Sequence, residues 1–221
     1  SSDVCSSDLI MAAELSRKKF IECASKIIAS DGIHGLSIRK IAKSMDCYTG
    51  NIYYYFENLD ELIAYANMEY YADYLADVSI LHAREGYSAE AYEKSWLIYM
   101  DHALRNPDIF MKLIYGPYAG KIGAIAVDYY EMFPERKKQL NSDIVRILFE
   151  KTLKTLDDHL VLRFCIENGT FTKERAELLG FVLSNFSRGV IYEFNSNEQS
   201  LEHMKERFAE GLHEIFRAFA D

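Results

Sequence analysis

The chain has 221 residues, enough for one large or two small units with a real core. Hydrophobic residues make up 49% and charged residues 27%, the balance of a water-soluble globular chain, and no apolar run reaches the roughly 18 residues of a membrane span. The net charge of -9 counts against a chain whose whole surface meets nucleic acid. Residues 11–57, however, hold seven Lys/Arg against five Asp/Glu, so a polyanion-binding surface could only be a small N-terminal one.

Residues 1–10, SSDVCSSDLI, are rich in Ser and Asp and show no periodicity. They lack the basic start and apolar stretch of a signal peptide, so they read as a disordered or artefactual leader, with Met11 the expected start. Cys5, Cys23, Cys47 and Cys165 have no metal-type spacing; they read as thiols of a reducing compartment, and the expected location is cytoplasmic.

The first helix is predicted over 16–31, where Phe20, Ala24, Ile27 and Ile28 share a face and Asp31-Gly32 ends it. Ser37 suits the N-cap of a short second helix carrying Ile38, Ile41, Ala42 and Met45. Asp46-Cys47 is a turn, and a third helix runs from about Tyr48 to Tyr54. Asn58-Leu59-Asp60-Glu61 resembles a capping box with Glu61 at N3, opening a long fourth helix to about Ala83. Breaks at Gly86-Tyr87-Ser88, Asn106-Pro107, Gly116-Pro117, Phe133-Pro134, Asn168-Gly169 and Asn195–Asn197 leave helices near 89–105, 108–115, 119–132, 137–167, 172–194 and 197–219. The expectation is an all-α fold of about nine helices. A three-helix helix-turn-helix domain would occupy 11–57 and a helical domain 58–221.

Three helices of this length fit a helix-turn-helix, in which two helices make a core and the third enters a major groove. The residues are more telling than the spacing. Arg39 precedes Ile41-Ala42 in the second helix, Thr49-Gly50-Asn51-Ile52-Tyr53 fills the third, and Tyr55-Phe56 leads through Glu57-Asn58 to Asp60-Glu61-Leu62. This stretch resembles the DNA-binding signature of the TetR (tetracycline-repressor) family.

That resemblance implies a sequence-specific transcriptional regulator, with Arg39 reaching a base edge or phosphate. Thr49, Gly50 and Asn51 would lie at the exposed start of the recognition helix, and Gly50 would let the backbone approach DNA closely. Tyr48, Tyr53, Tyr54 and Tyr55 join the candidate DNA contacts, while Ile52 and Phe56 are expected to pack inward. Lys40 and Lys43 are either phosphate contacts or plain solvated surface. Three positions depart from the family pattern: Asp46 stands where Gly is usual, Tyr48 where Ser often caps, and Leu59 where Lys often grips a phosphate. Asp tolerates the left-handed turn, Thr49 could take over capping, and Leu59 predicts weaker backbone anchoring.

The resemblance further implies a homodimer acting as a repressor, released from a palindromic double-stranded operator by a small-molecule inducer in the C-terminal domain. Candidate pocket residues are Trp96, Tyr99, Met100, Phe110, Met111, Ile114, Tyr115, Phe149, Phe164 and Phe186, each of which could equally be core. Candidate dimer residues on the last two helices are Phe181, Asn185, Gly189, Tyr192, Met204, Phe208, Leu212 and Ile215. His102, His159 and Cys165 match no metal-ligand spacing, and GxSxG, GxxxxGK[ST] and HExxH are absent, so no catalytic residue, metal or cofactor is expected. The rival reading is a helical ligand-binding or interaction module with a weakened head.

Overall fold

The computed structural model describes residues 15–149, 160–197 and 199–219; the side chains of Leu160, Val161 and Phe164 also lie outside the described set, as do the expected leader and His159. All regular structure among the described residues is helical. In chain order the helices are α1 (Arg17–Asp31), α2 (Ile38–Ser44), α3 (Thr49–Tyr55), α4 (Leu59–Glu85), α5 (Ala89–Arg105), α6 (Pro107–Tyr115), α7 (Ile122–Met132) and α8 (Pro134–Lys137). They continue with α9 (Ser142–Phe149), α10 (Leu160–Glu167), α11 (Lys173–Ser196) and α12 (Leu201–Phe219), with short 3₁₀ turns at Ile33–Gly35 and Ala119–Lys121. Twelve helical segments thus stand among the described residues, against ten read along the sequence. Pro134 starts the extra one-turn helix α8 at its N1 position. The single helix expected over 137–167 is seen as α9 and α10, with 150–159 outside the described residues.

Local chemistry sets the starts. The hydroxyls of Ser16, Ser37, Ser88 and Thr172 accept the backbone N–H of Lys19, Lys40, Ala91 and Arg175 at 3.2, 3.2, 3.1 and 3.4 Å. Each satisfies one of the donors a helix leaves unpaired at its first turn.

The chain divides into two compact units, Ser1–Glu69 and Tyr70–Asp221. The division falls inside α4 rather than at 57/58, because Leu62, Tyr65 and Ala66 are buried within the first unit. That unit is built on Phe20, Ile21, Ala24, Ile41, Ile52, Phe56 and Leu62, none more than 2% exposed. Phe20 meets Phe56 edge-on at 6.5 Å between ring centres, and Phe56 meets Tyr65 at 5.9 Å.

In the second unit α12 packs on α5 and α11, and α11 also packs on α6. Trp96, Tyr99 and Phe110 form a continuous run of edge-to-face rings, at 5.4 and 5.7 Å. Phe186 of α11 stacks on Phe208 of α12 at 5.2 Å. That stack needs Gly211, where an added Cβ would come within 2.4 Å of the Phe186 ring. At the α4–α5 link, His82 donates from Nδ1 to the Gly86 carbonyl (2.6 Å), its Nε2 lies 2.8 Å from Ser95 Oγ, and its ring stacks on Tyr87. Burial pushes its pKa below the usual histidine value.

Candidate nucleic-acid interface

The link between α2 and α3 is a tight helix stop. Asp46 adopts a left-handed φ of 48°, the conformation the sequence demands of it in place of glycine. Around it Cys47 N–H donates to the Ala42 carbonyl (3.0 Å) and Asp46 N–H to Lys43 (3.4 Å), the paired bonds of a Schellman motif. The chain then turns through Tyr48, whose φ and ψ of -78° and 146° are extended, straight into α3.

Thr49 does not cap that helix. The N-cap is Tyr48, with no side-chain hydrogen bond, and Thr49 is already the first helical residue. The expectation that Thr49 takes over capping is therefore corrected: the Schellman bonds fix where the chain emerges, and Tyr48 is the last extended residue.

On α3, Ile52 is fully buried and Phe56, just beyond, is 2% exposed, so both anchor the helix as expected. The opposite side is open. Tyr48 and Tyr54 are 84% exposed and Tyr53 56%, values far above what rings of this size reach when they serve a core. Arg39, Lys43, Thr49 and Gly50 are also exposed, and Asn51 is half-buried. A Cβ added at Gly50 would meet no atom within 4 Å.

Two of the expected contact residues are tied up inside the unit. Tyr55 lays its ring 5.5 Å from Phe20 and donates its hydroxyl to the Leu15 carbonyl at 3.0 Å, bracing α3 against α1. Lys40 pairs with Asp31 and lies 3.3 Å from the Gly35 carbonyl, and its ammonium holds the Asp31 carboxyl below the usual range.

The start of α4 is closed on itself. Asn58 Oδ1 accepts from Glu61 N–H at 3.0 Å, and Glu61 reaches back to accept from Glu57 N–H at 2.5 Å. The other oxygen of Glu61 takes a 3.1 Å bond from Arg17, whose guanidinium lies 4.1 Å from the centre of the Tyr65 ring. In the sequence, the acid three residues into α4 was the available sign of a partner for Arg17. With Leu59 in place of a cation and Glu57, Asp60 and Glu61 around it, this helix start offers little to a phosphate.

In the second unit the expected pocket residues fall into several environments. Trp96, Tyr99, Met100, Phe110 and Ile114 are each at most 8% exposed and pack as core, while Met111 is half-buried. Phe186 is held by Phe208, and Phe149 lies under Lys137, whose ammonium is 3.6 Å from its ring centre. The Phe164 side chain is outside the described set. Tyr115 alone of this group lines an open groove of about 530 Å³, with Leu162, Ile166, Phe181, Ser184 and Arg188 among its walls. Arg188 stacks its guanidinium 5.1 Å over Tyr115, whose hydroxyl donates to the Ser184 carbonyl at 3.2 Å.

The dimer candidates also separate. Met204, Phe208 and Leu212 are fully buried within the unit, because the apolar face of α12 is covered by α5 and α11; they are corrected from interface to core. Ile215 is half-buried. Phe181, Asn185, Gly189 and Tyr192 are exposed, and Leu178 extends the same face of α11.

Residues 20–66 match the family model described as bacterial regulatory proteins, tetR family. Residues 20–66 are a TetR-family domain. The matched segment covers α2, α3 and the start of α4, so the exposed face of Arg39, Lys43, Tyr48, Tyr53 and Tyr54 lies within the TetR-family DNA-binding domain. Among solved structures, a transcriptional regulator of Aquifex aeolicus aligns at 16% identity over 90% of this chain and 99% of that one, with a TM-score of 0.48. A TetR transcription regulator of Haloarcula marismortui aligns at 21% identity over 91% and 96%, with a TM-score of 0.46. No curated protein matches the sequence. No helix of the described residues is long and apolar enough to cross a membrane.

Proposed function

We propose that this TetR-family regulator is a cytoplasmic homodimer that binds a pseudo-palindromic DNA operator through α2 and α3 and represses nearby genes until a small molecule occupies the second unit. The observation that carries the DNA-binding half is the outward face of α3. Three tyrosines stand largely in solvent on a helix whose other side is anchored by Ile52 and Phe56. Large rings left this exposed mark a recognition surface. Arg39 and Lys43 beside them supply positive charge to an otherwise acidic chain.

A second observation supports the dimer. Leu178, Phe181 and Tyr192 are 56%, 68% and 65% exposed on one helix. With Asn185 and Gly189 they fall at steps of three and four, the seam that two antiparallel helices share across a two-fold axis. Two heads paired in this way would read half-sites about one DNA turn, or a multiple of it, apart. The groove beside Tyr115 is the candidate inducer site, its apolar wall suited to an apolar or aromatic molecule. The helix α4 contributes Leu59–Glu69 to the first unit and Tyr70–Glu85 to the second, which makes it the candidate carrier of the signal. A ligand acts on it only if it prefers one of two states.

The closed, acidic start of α4 favours a second reading, a regulator whose head holds DNA weakly. Alanine substitutions at Arg39 and Tyr53 test the main reading. Both variants should melt at the wild-type temperature, since neither side chain is buried, yet lose operator affinity in a fluorescence anisotropy titration. Unchanged affinity in both would place the DNA contact elsewhere.

A further inference from the structure

The side chains that α3 presents are unusual in what they lack. The helix reads Thr-Gly-Asn-Ile-Tyr-Tyr-Tyr, with no Lys, Arg, Asp or Glu from Thr49 to Tyr55, and Tyr48 precedes it. Base edges in the major groove are told apart by matching groups. Guanine is held by Arg or Lys, cytosine by a carboxylate, adenine by Asn or Gln, and thymine by apolar contact with its methyl group. With no charged group, α3 is best suited to the last two: Asn51 can pair with an adenine edge, and Thr49 and the exposed ring of Tyr48 can cover thymine methyls. Gly50, with open space around its Cα, lets that end of the helix sit deep in the groove.

The neighbouring cations cannot easily replace the missing guanine readers. Lys40 is paired with Asp31 and the Gly35 carbonyl, and Arg17 is held by Glu61. Arg39 and Lys43, both exposed on α2, are the cations left to reach a base. Resting on the DNA-binding reading above, we infer that the segment of each half-site under α3 is made of A·T pairs, with Asn51 reading an adenine, and that a guanine enters only at the flank read by the α2 cations Arg39 and Lys43.

The test uses the full chain and selection of bound duplexes from a random pool, followed by titrations with modified versions of the winner. An A·T core in each half-site is expected. Replacing the Asn51-read adenine with 7-deazaadenine should weaken binding about five- to tenfold, as loss of one acceptor of a bidentate pair. Replacing core thymines with deoxyuridine should weaken it further by removing methyl contacts. In Asn51→Ala the 7-deazaadenine penalty should vanish, while thermal melting stays at the wild-type value because Asn51 is only half-buried. A selected core rich in G·C, or an unchanged analogue penalty in Asn51→Ala, overturns this inference and leaves DNA binding intact. Failure to enrich any sequence removes the DNA-binding reading, and this inference with it.

Discussion

Gly50→Ala separates what the fold needs from what DNA binding needs. Glycine in a helix is less favourable than alanine by about 1 kcal/mol, because it surrenders more backbone freedom and exposes more of the backbone to water. Gly50 is the second residue of α3, its φ is not in the left-handed region, and a Cβ there would touch nothing within 4 Å. Nothing inside the first unit therefore rewards the glycine. The substitution should stabilise the protein by about 0.5–1 kcal/mol, raising the melting temperature by about 1–4 °C if the chain melts as one transition. If glycine is there so that the backbone can approach DNA, the same methyl group should cost at least about tenfold in operator affinity. Differential scanning fluorimetry and an anisotropy titration on one preparation measure both. A variant that is more stable and binds DNA as tightly as wild type would refute the reasoning, since the glycine would then have no outside partner.

Other substitutions probe single links of the account. Asp46→Val should destabilise the first unit by about 1–2 kcal/mol, since a β-branched residue resists φ of 48°, whereas Asp46→Gly should be neutral or stabilising in chemical denaturation. Tyr48→Ser should add the missing cap and stabilise α3 by about 0.5–2 kcal/mol while weakening DNA binding; a loss of stability would contradict the open N-cap seen here. Phe181→Asp should shift the molecular mass from dimer toward monomer in sedimentation while leaving helical content unchanged. His82 has its pKa lowered by burial, so its neutral form contributes stability that is complete above about pH 6.5 and is lost as pH falls below that value through the folded pKa. Melting temperatures between pH 8 and 5 should fall more steeply for wild type than for His82→Gln, and parallel curves would count against it.

Much of the head was legible in the sequence because short-range chemistry decides it. Ser37 capped α2, Asp46 took the left-handed turn and Ile52 and Phe56 went inward, each from its own side-chain properties. The internal roles of Tyr55 and Lys40 were not legible because their partners, the Leu15 carbonyl just before α1 and Asp31 at its end, come from elsewhere in the chain. The second unit was harder for the same reason. A stripe such as Met204, Phe208 and Leu212 announces that a face will be covered, but not whether its own chain or a second copy covers it; α5 and α11 did. Likewise Trp96, Tyr99 and Phe110 could be read as pocket wall or core, and their edge-to-face packing on one another had no local signature in the sequence. The groove beside Tyr115 gathers residues from α6, α10 and α11, a juxtaposition without a local signature.

The central claim is that the exposed face of α2 and α3 binds DNA as one half of a dimer. A titration of the selected duplex over a salt series, with the stoichiometry measured at saturation, tests it most directly. The account predicts two chains or a multiple of two per duplex and a logarithm of affinity that falls steeply and linearly with the logarithm of salt, as phosphate contacts release counterions. One chain per duplex, or affinity indifferent to salt, would contradict it.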